Sequence, residues 1–430
     1  MAGSQDLPLL FCSILAAQML TADTIEPFDD LALPQRWRAL TMLAAAQLLS
    51  MSLWFSGAAV LPALRSEWAL SESTAAWLTI AVQLGFVAGT LLSAFLNLPD
   101  VLSPRHLVAS CAVLGASANA AFGYFAEGPQ LGIILRFLTG MFLAGVYPPG
   151  MKILATWFRR SRGLALGVLV GALTLGKASS YLINGIGSAN WRTNMLFISL
   201  LAVIGGLVML WFVENGPFAL AIAPFDWRQV LEVFKNRGVR LASFGYFGHM
   251  WELYAMWIWA PVMIRASLGQ GSHPALAEVA SFLVIGCGAI GCVVAGLVAD
   301  RIGRTLVTSV AMAISGSCCL VIGFLFGGSP VWILVVAAIW GATVVADSAQ
   351  FSTCVTELGN QQYLGTALTI QTSIGFLLTT ISIELVPLLL KIAGWRYAFV
   401  ILAPGPLLGV LAMLRLRSLP EALKIAHGRR

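Results

Sequence analysis

The stretch "GHMWELYAMWIW" over residues 248–259 sets His249 and Glu252 three residues apart in an otherwise apolar, tryptophan-rich run. On a helix, positions i and i+3 share a face, and Met256 and Trp259 continue that stripe. An ionisable pair in hydrocarbon is costly unless it faces a cavity or partner, so the default chemistry is proton or solute handling. Glu252 falls about 16 Å along a helix that begins near residue 241, close to a bilayer centre. Asp347 sits mid-way through another apolar run, with Thr343, Gln350 and Cys354 at helical spacing, and could take a cation, a proton or a substrate amine. Lys177 shares a stripe with Thr174, Tyr181 and Asn184 and is too deep to be an end-of-helix snorkeller, so its natural substrate partner is an anion. Arg136 and Lys152 stand nearer the ends of their runs, where snorkelling is an equal alternative. The plain alternatives are a static His249–Glu252 pair and buried structural partners for Asp347 and Lys177. Metal binding through His249, Glu252 and Asp347 lacks diagnostic ligand spacing, so no metal or other cofactor is expected.

The elements that would hold these groups follow from composition. With 59% hydrophobic residues, 10% charged residues and a mean hydropathy of +0.86, the chain departs from a soluble domain, which carries about 25% charged residues. It reads as an all-α membrane protein. Apolar runs long enough to cross about 30 Å of hydrocarbon fall at 39–64, 75–96, 106–125, 131–157, 163–186, 191–214, 241–265, 278–298, 305–326, 331–356, 366–390 and 395–416. The longest polar interruption, 215–240, divides them into two sets of six. "NWRTNMLFI" from Asn190 matches "GWRYAFVI" from Gly394, and "RGLALGVLVGA" from Arg162 matches "LGTALTIQTSI" from Leu364. The sequence therefore predicts a duplicated architecture, with a midplane site between six-helix bundles at 39–214 and 241–416.

Lys and Arg set the expected orientation. Placing the N-terminus in the cytoplasm gives the cytoplasmic segments seventeen basic residues and the other side five. This positive-inside bias predicts that a 1–38 extension, the central loop 215–240 and a basic 417–430 tail are all cytoplasmic, in a multi-pass plasma membrane or bacterial inner membrane. Residues 8–20 are too short to span and lack a basic lead, so no signal peptide is expected. The net charge of +6 is accounted for by topology, and nucleic acid is not an expected partner. The seven cysteines have no paired C-x-x-C spacing and read as small apolar residues. A lone copy of the chain, a monomer, is the expected state.

After the eighth run the sequence reads "GLVADRIGRT" from Gly296, carrying Asp300, Arg301, Gly303 and Arg304; the corresponding "LNLPDVLSPRH" retains only Asp100 and Arg105. The first of these resembles the G-x-x-x-D-R-x-G-R signature of the major facilitator superfamily. "RFLTGMFLAG" from Arg136 resembles its span-four motif, and "WFRRSRGLALG" from Trp157 is similar to the loop between spans four and five in its anion-carrying branches. The resemblance implies twelve membrane helices in two pseudo-symmetric halves, with spans one, four, seven and ten lining the central cavity. Physically, Asp300 can approach the N-terminus of span five near Gly163, where unpaired N–H groups carry partial positive charge, and so act as a conformational latch.

The resulting cavity is basic in the first half (Arg136, Lys152, Lys177) and acidic or titratable in the second (His249, Glu252, Asp347). That pattern suits a secondary active transporter, most simply a symporter moving a small organic anion with a proton. Substrate contacts are expected from Lys177, Tyr181, Asn184, Arg136, Trp259, Gln350 and Asp347, and proton coupling from Glu252, His249 and Asp347. A proton-driven exporter of amphiphiles, lined by Trp251, Tyr254, Trp257 and Trp259, is the alternative within the class; a transporter-like sensor or receptor is the alternative outside it. Nitrate fits poorly, because porters of that branch carry an arginine on spans two and eight, absent here. An enzyme is not expected, since H-E-x-x-H, G-x-S-x-G and G-x-x-x-x-G-K-[ST] patterns are missing.

Overall fold

A computed structural model describes residues 33–158, 161–186, 190–218, 226, 234–269, 274–360 and 364–430, apart from the side chains of Leu33, Glu72, Asp100, Pro274 and His427. Residues 8–20, the Arg159–Arg160 pair, Arg228 and most of the central loop therefore lie outside the described residues, as does the Asp100 side chain. The chain divides into Met1–Arg38, described only where the first helix begins, and Ala39–Arg430, whose organisation follows.

All regular elements among the described residues are helical. The first segment is broken into α1 (Leu33–Met51), α2 (Ser56–Ala59) and α3 (Leu61–Trp68), followed by α4 (Glu72–Phe95), the short α5 (Leu98–Val101) and α6 (Pro104–Phe125). Next come α7 (Pro129–Leu143), α8 (Tyr147–Ala155), α9 (Arg162–Ile186) and α10 (Trp191–Phe212). The second set comprises α11 (Arg237–Leu268), α12 (Pro274–Ile302), α13 (Arg304–Val321), α14 (Pro330–Val344), α15 (Ser348–Leu358), α16 (Leu364–Ala393), α17 (Trp395–Ala398) and α18 (Pro404–Arg417). Counting α7–α8, α14–α15 and the α17–α18 stretch as single crossings, ten helices are long and apolar enough to cross a membrane. The broken α1–α3 segment and α11, which carries the charged and polar groups of the opening stretch, are outside that ten.

In hydrocarbon a helix can break only where its freed backbone groups find other partners. At the α1–α2 break, Ser180 donates to the Ser52 carbonyl at 2.5 Å, Ser56 Oγ to the Leu53 carbonyl at 2.8 Å, and Arg136 to the Leu53 and Trp54 carbonyls at 3.3 and 2.7 Å. The α7–α8 break precedes Pro148 and Pro149, which cannot donate to the preceding turn, and Gln47 Nε2 donates to the Val146 carbonyl at 2.8 Å. At the α14–α15 break Cys292 Sγ reaches the Val345 carbonyl at 3.3 Å. Asp347 sits at this last break, so the helical face that would align it with Thr343 and Cys354 is interrupted.

Close crossings repeat between the sets. A Cβ at Gly89 would strike the Met141 carbonyl and one at Gly140 the Val82 carbonyl, while Gly291 and Gly341 stand in the same way against Ala342 and Val284. These four glycines are what let α4 lie on α7 and α12 on α14 at backbone distance, and each crossing recurs about two hundred residues on. Between the sets the principal packings are α9 on α12 and α4 on α16.

Candidate functional site

Lys177 on α9 is a buried cation, 4% exposed. Its Nζ donates to Tyr254 Oη at 2.5 Å and lies 4.2 Å from the Trp54 ring centroid, 4.8 Å from Tyr254 and 5.2 Å from Trp257. No carboxylate of the described residues lies within 4 Å of it. The rings come from the α1–α2 break, α4, α11 and α16, which meet where the two sets face each other. Phe86 of α4 and Phe376 of α16 pack at 4.5 Å, Trp54 lies 5.1 Å from Phe86 and 5.6 Å from Phe376, and Tyr254 of α11 lies 5.1 Å from Phe376. An ammonium over ring faces is attracted by their negative quadrupole but retains its full charge. The arrangement places the Lys177 amine in a dry site walled by rings.

Around this centre the other expected substrate contacts are engaged elsewhere. Tyr181 lies 3.5 Å from the Trp257 carbonyl, and Asn184 donates to the Ala59 carbonyl at 3.0 Å. Trp259 donates to the Ile383 carbonyl at 2.9 Å, and Gln350 accepts from Arg304 at 2.7 Å. Arg136 is not a snorkeller: it is 1% exposed and, besides the two broken-helix carbonyls, donates to Ser56 Oγ at 2.8 Å and Asn119 Oδ1 at 3.0 Å. Lys152 donates to the Pro99 carbonyl at 2.9 Å.

The acidic side is divided in two. Glu252 turns toward α13 and α14, its Oε1 accepting from Trp340 Nε1 at 2.6 Å and Cys319 Sγ at 3.0 Å, its Oε2 from Ser315 Oγ at 2.8 Å. His249 does not pair with it. Its Nδ1 faces Asp347 Oδ1 at 2.9 Å with both side chains 1% exposed. That oxygen lacks a well-directed hydrogen bond, so the contact is one of proximity rather than alignment, and His249 Nε2 is without a hydrogen-bond partner among the described residues. The i, i+3 stripe holds as backbone geometry, but the two side chains diverge to different neighbours.

At one end of α12 the Asp300 carboxylate lies against the start of α9: a Cβ on Gly163 would come within 2.6 Å of both its oxygens. Arg304 lies 3.3 Å from Asp300 and 2.9 Å from Glu357 at the end of α15. Arg301 is exposed, and Gly303 takes φ +100°, a conformation glycine adopts without strain. The chain after α18 returns across this cluster as a 3-10 segment, Pro420–Gly428, burying Ala422 and Ile425. There Ala426 N–H donates to Glu357 at 3.1 Å, Arg429 to the Asp300 carbonyl at 2.7 Å, and Arg417 to Thr305 at 3.3 Å. Arg105, at the corresponding place in the first set, is half-buried at the start of α6. At the opposite end Arg265 pairs with Glu278, whose Cβ packs against Gly185 of α9.

Sequence reasoning missed Trp54, Phe86 and Phe376, because isolated aromatics in apolar runs carry no signal of which neighbour they meet. It also missed the Asn119–Ser56 pair that holds Arg136. Among the described residues no group of three or more His, Cys, Asp or Glu is placed to hold a metal ion.

The Major Facilitator Superfamily model matches residues 43–383. A gallate transporter of Pseudomonas putida is 25% identical over 318 residues, covering 65% of this chain and 69% of that protein. A puromycin resistance protein of Streptomyces alboniger is 30% identical over 183 residues, covering 40% of this chain and 35% of that protein. Among solved structures, a D-xylose-proton symporter superposes with a TM-score of 0.70 at 16% identity, covering 90% of this chain and 99% of the other, a likeness of fold.

Proposed function

The chain belongs to the major facilitator superfamily, and on that premise we propose that it is a proton-coupled secondary transporter of a small organic anion, working by alternating access between two six-helix halves. The observation that carries this reading is Lys177: a desolvated ammonium at the meeting of the two sets, caged by rings and without a carboxylate within 4 Å. A buried charge without a counter-charge is unfavourable, so an anionic ligand gains from binding there what the protein does not itself supply. The gallate transporter is a relative whose named substrate is an organic anion.

Proton coupling rests on Glu252. Among the described residues its carboxylate is bound by the neutral side chains of Ser315, Cys319 and Trp340, and Ser315 Oγ can either donate to it or accept from its protonated form. The site therefore accommodates both protonation states with the same neighbours. His249 and Asp347 form a second contact between ionisable groups, from α11 to the α14–α15 break. We place both termini in the cytoplasm and the chain in a plasma or bacterial inner membrane, as a monomer crossing twelve times.

The test is uptake and counterflow in proteoliposomes against a panel of organic anions, with and without an imposed pH gradient. Accumulation that depends on the gradient and is lost in Lys177→Met supports the reading; uptake of neutral solutes alone, indifferent to pH, defeats it. A second reading, proton-driven export of an amphiphile, is favoured by the aromatic cage itself and by the puromycin resistance relative. Movement of aromatic cations rather than anions in the same panel would select it.

A further inference from the structure

Resting on the anion reading, we propose that the substrate is a monocarboxylate bearing a flat aromatic ring, whose carboxylate is held jointly by Lys177 and the indole N–H groups of Trp54 and Trp257. The orphaned indoles are the independent observation. Trp54 and Trp257 are 2% and 1% exposed, and the Nε1 of each lacks a hydrogen-bond partner among the described residues. By contrast the indoles of Trp191 and Trp340 donate to Glu67 and Glu252, and those of Trp251 and Trp259 to backbone carbonyls. Trp68 is the remaining orphan, and it packs away from the cage against Phe122 and Trp191.

Two of the three buried unpartnered indoles, Trp54 and Trp257, thus belong to rings that lie 4.2 and 5.2 Å from the Lys177 Nζ. Buried polar groups in folded proteins are nearly always paired, so each such donor calls for an acceptor. An ammonium and two indole N–H groups are donors only. The ligand they require is rich in acceptors and carries negative charge, which a carboxylate supplies with two oxygens and about four lone-pair sites.

Charge count limits it to one such group. Glu252 and Asp347 turn to partners of their own, and Arg136 is enclosed by carbonyls, Ser56 and Asn119, so Lys177 is the cation left to meet a ligand. The rest of the wall is Phe86, Phe376 and the Tyr254 ring. These rings pack on one another at tilted angles, Phe86 on Phe376 where α4 meets α16 and Trp54 of the α1–α2 break on Tyr254 of α11. When the halves part, the faces bared are aromatic, and a ligand ring can replace the stacking that is lost.

The probe is radiolabelled benzoate, with binding to the purified full-length transporter measured by scintillation proximity and displacement by cyclohexanecarboxylate, propionate, benzyl alcohol and benzylamine. Benzoate is expected to bind about fivefold more tightly than cyclohexanecarboxylate, with the alcohol and the amine weaker still. Trp54→Phe and Trp257→Phe keep a ring and remove the donor, so each should weaken benzoate by about fivefold, and Lys177→Met by more than about tenfold. Should Lys177→Met fail to fold, the two phenylalanine variants and the wild-type ranking decide alone. If cyclohexanecarboxylate or propionate binds as well as benzoate and depends on Lys177, the ring assignment is wrong while anion transport stands. Competition by benzylamine or benzyl alcohol equal to that of benzoate, or no Lys177-dependent carboxylate binding at all, removes both.

Discussion

The two helical sets carry the same crossings but use charge in opposite ways. In the first, Gln47 gives its amide to the Val146 carbonyl at 2.8 Å, a neutral contact across a helix break. About two hundred residues on, His249 faces Asp347 at 2.9 Å across the corresponding break. Likewise one buried cation of the first set, Arg136, is fastened to backbone carbonyls, whereas one buried acid of the second, Glu252, is held by three side chains. A guanidinium that satisfies freed carbonyls cannot leave without taking a donor from Leu53 and orphaning the Trp54 carbonyl, so it is part of the frame. A carboxylate held by a hydroxyl, a thiol and an indole can gain or lose a proton without unravelling a helix. Similar-looking intramembrane charges thus divide into scaffold and machinery according to what they touch.

The largest effect expected from breaking that comparison is Arg136→Met. Removing the clasp leaves the Leu53 and Trp54 carbonyls and Asn119 short of donors in a dry interior, a loss of about 3 kcal/mol or more. Thermal unfolding of the detergent-solubilised protein should show a clear fall in Tm; an unchanged Tm would return Arg136 to the list of ligand contacts. Glu252→Gln should leave Tm within a few degrees and preserve substrate exchange, yet abolish accumulation driven by a pH gradient. One pH unit is worth about 1.4 kcal/mol, so the loss is about tenfold in the steady-state gradient per unit for one coupled proton. Uphill transport persisting in that variant would remove Glu252 from the coupling.

Asp300→Asn comes next. It removes the charge beside Gly163 at the start of α9 while nearly preserving shape, at an expected 0.3 to 2 kcal/mol by the usual helix-terminus range, roughly. Single cysteines placed at the facing ends of α9 and α12, in a background free of native cysteines, should label faster in the variant; equal rates would show that Asp300 does not bias opening. The smallest effect is expected at Glu67, where Arg192 and Trp191 hold the carboxyl below its ordinary value. A lowered folded-state pKa gives a contribution present at neutral pH and lost as pH falls below the ordinary carboxylate value of about 4.3. The pair is a third or more exposed, so Glu67→Gln should cost at most about 1 kcal/mol at pH 7, and the difference from the parent should vanish in acid. A penalty that grows on acidification would contradict the sign.

What could be read beforehand follows physical range. Of the twelve hydropathy runs, ten coincide with helices long and apolar enough to cross a bilayer, which imposes a length, and the G-x-x-x-D-R-x-G-R pattern singled out Asp300 because a local turn has a local signature. The breaks were less legible: Pro148 and Pro149 announce one, but Ser52–Phe55 and Val345–Asp347 contain no proline or glycine. Those breaks exist because donors from distant helices, Ser180, Arg136 and Cys292, make them affordable. Partner choice was the least accessible. Helical spacing placed His249 beside Glu252, yet the imidazole meets a carboxylate 98 positions away, and Lys177, expected to await an anion, is caged by rings on segments that no local pattern connects to it.

The returning segment Pro420–Gly428 has a consequence for how this chain can vary. Its hold on Glu357 is through the Ala426 backbone N–H, a group every residue but proline provides. Replacement of most side chains there leaves that donor in place, with Ala422 and Ile425 setting only the volume of what is buried. A single-residue insertion or deletion between 418 and 425 is different, because it rotates the N–H away from the carboxylate and draws Arg429 off the Asp300 carbonyl together. The segment is therefore tolerant of altered spelling and intolerant of altered length, and natural variants should differ there by substitution far more often than by gaps.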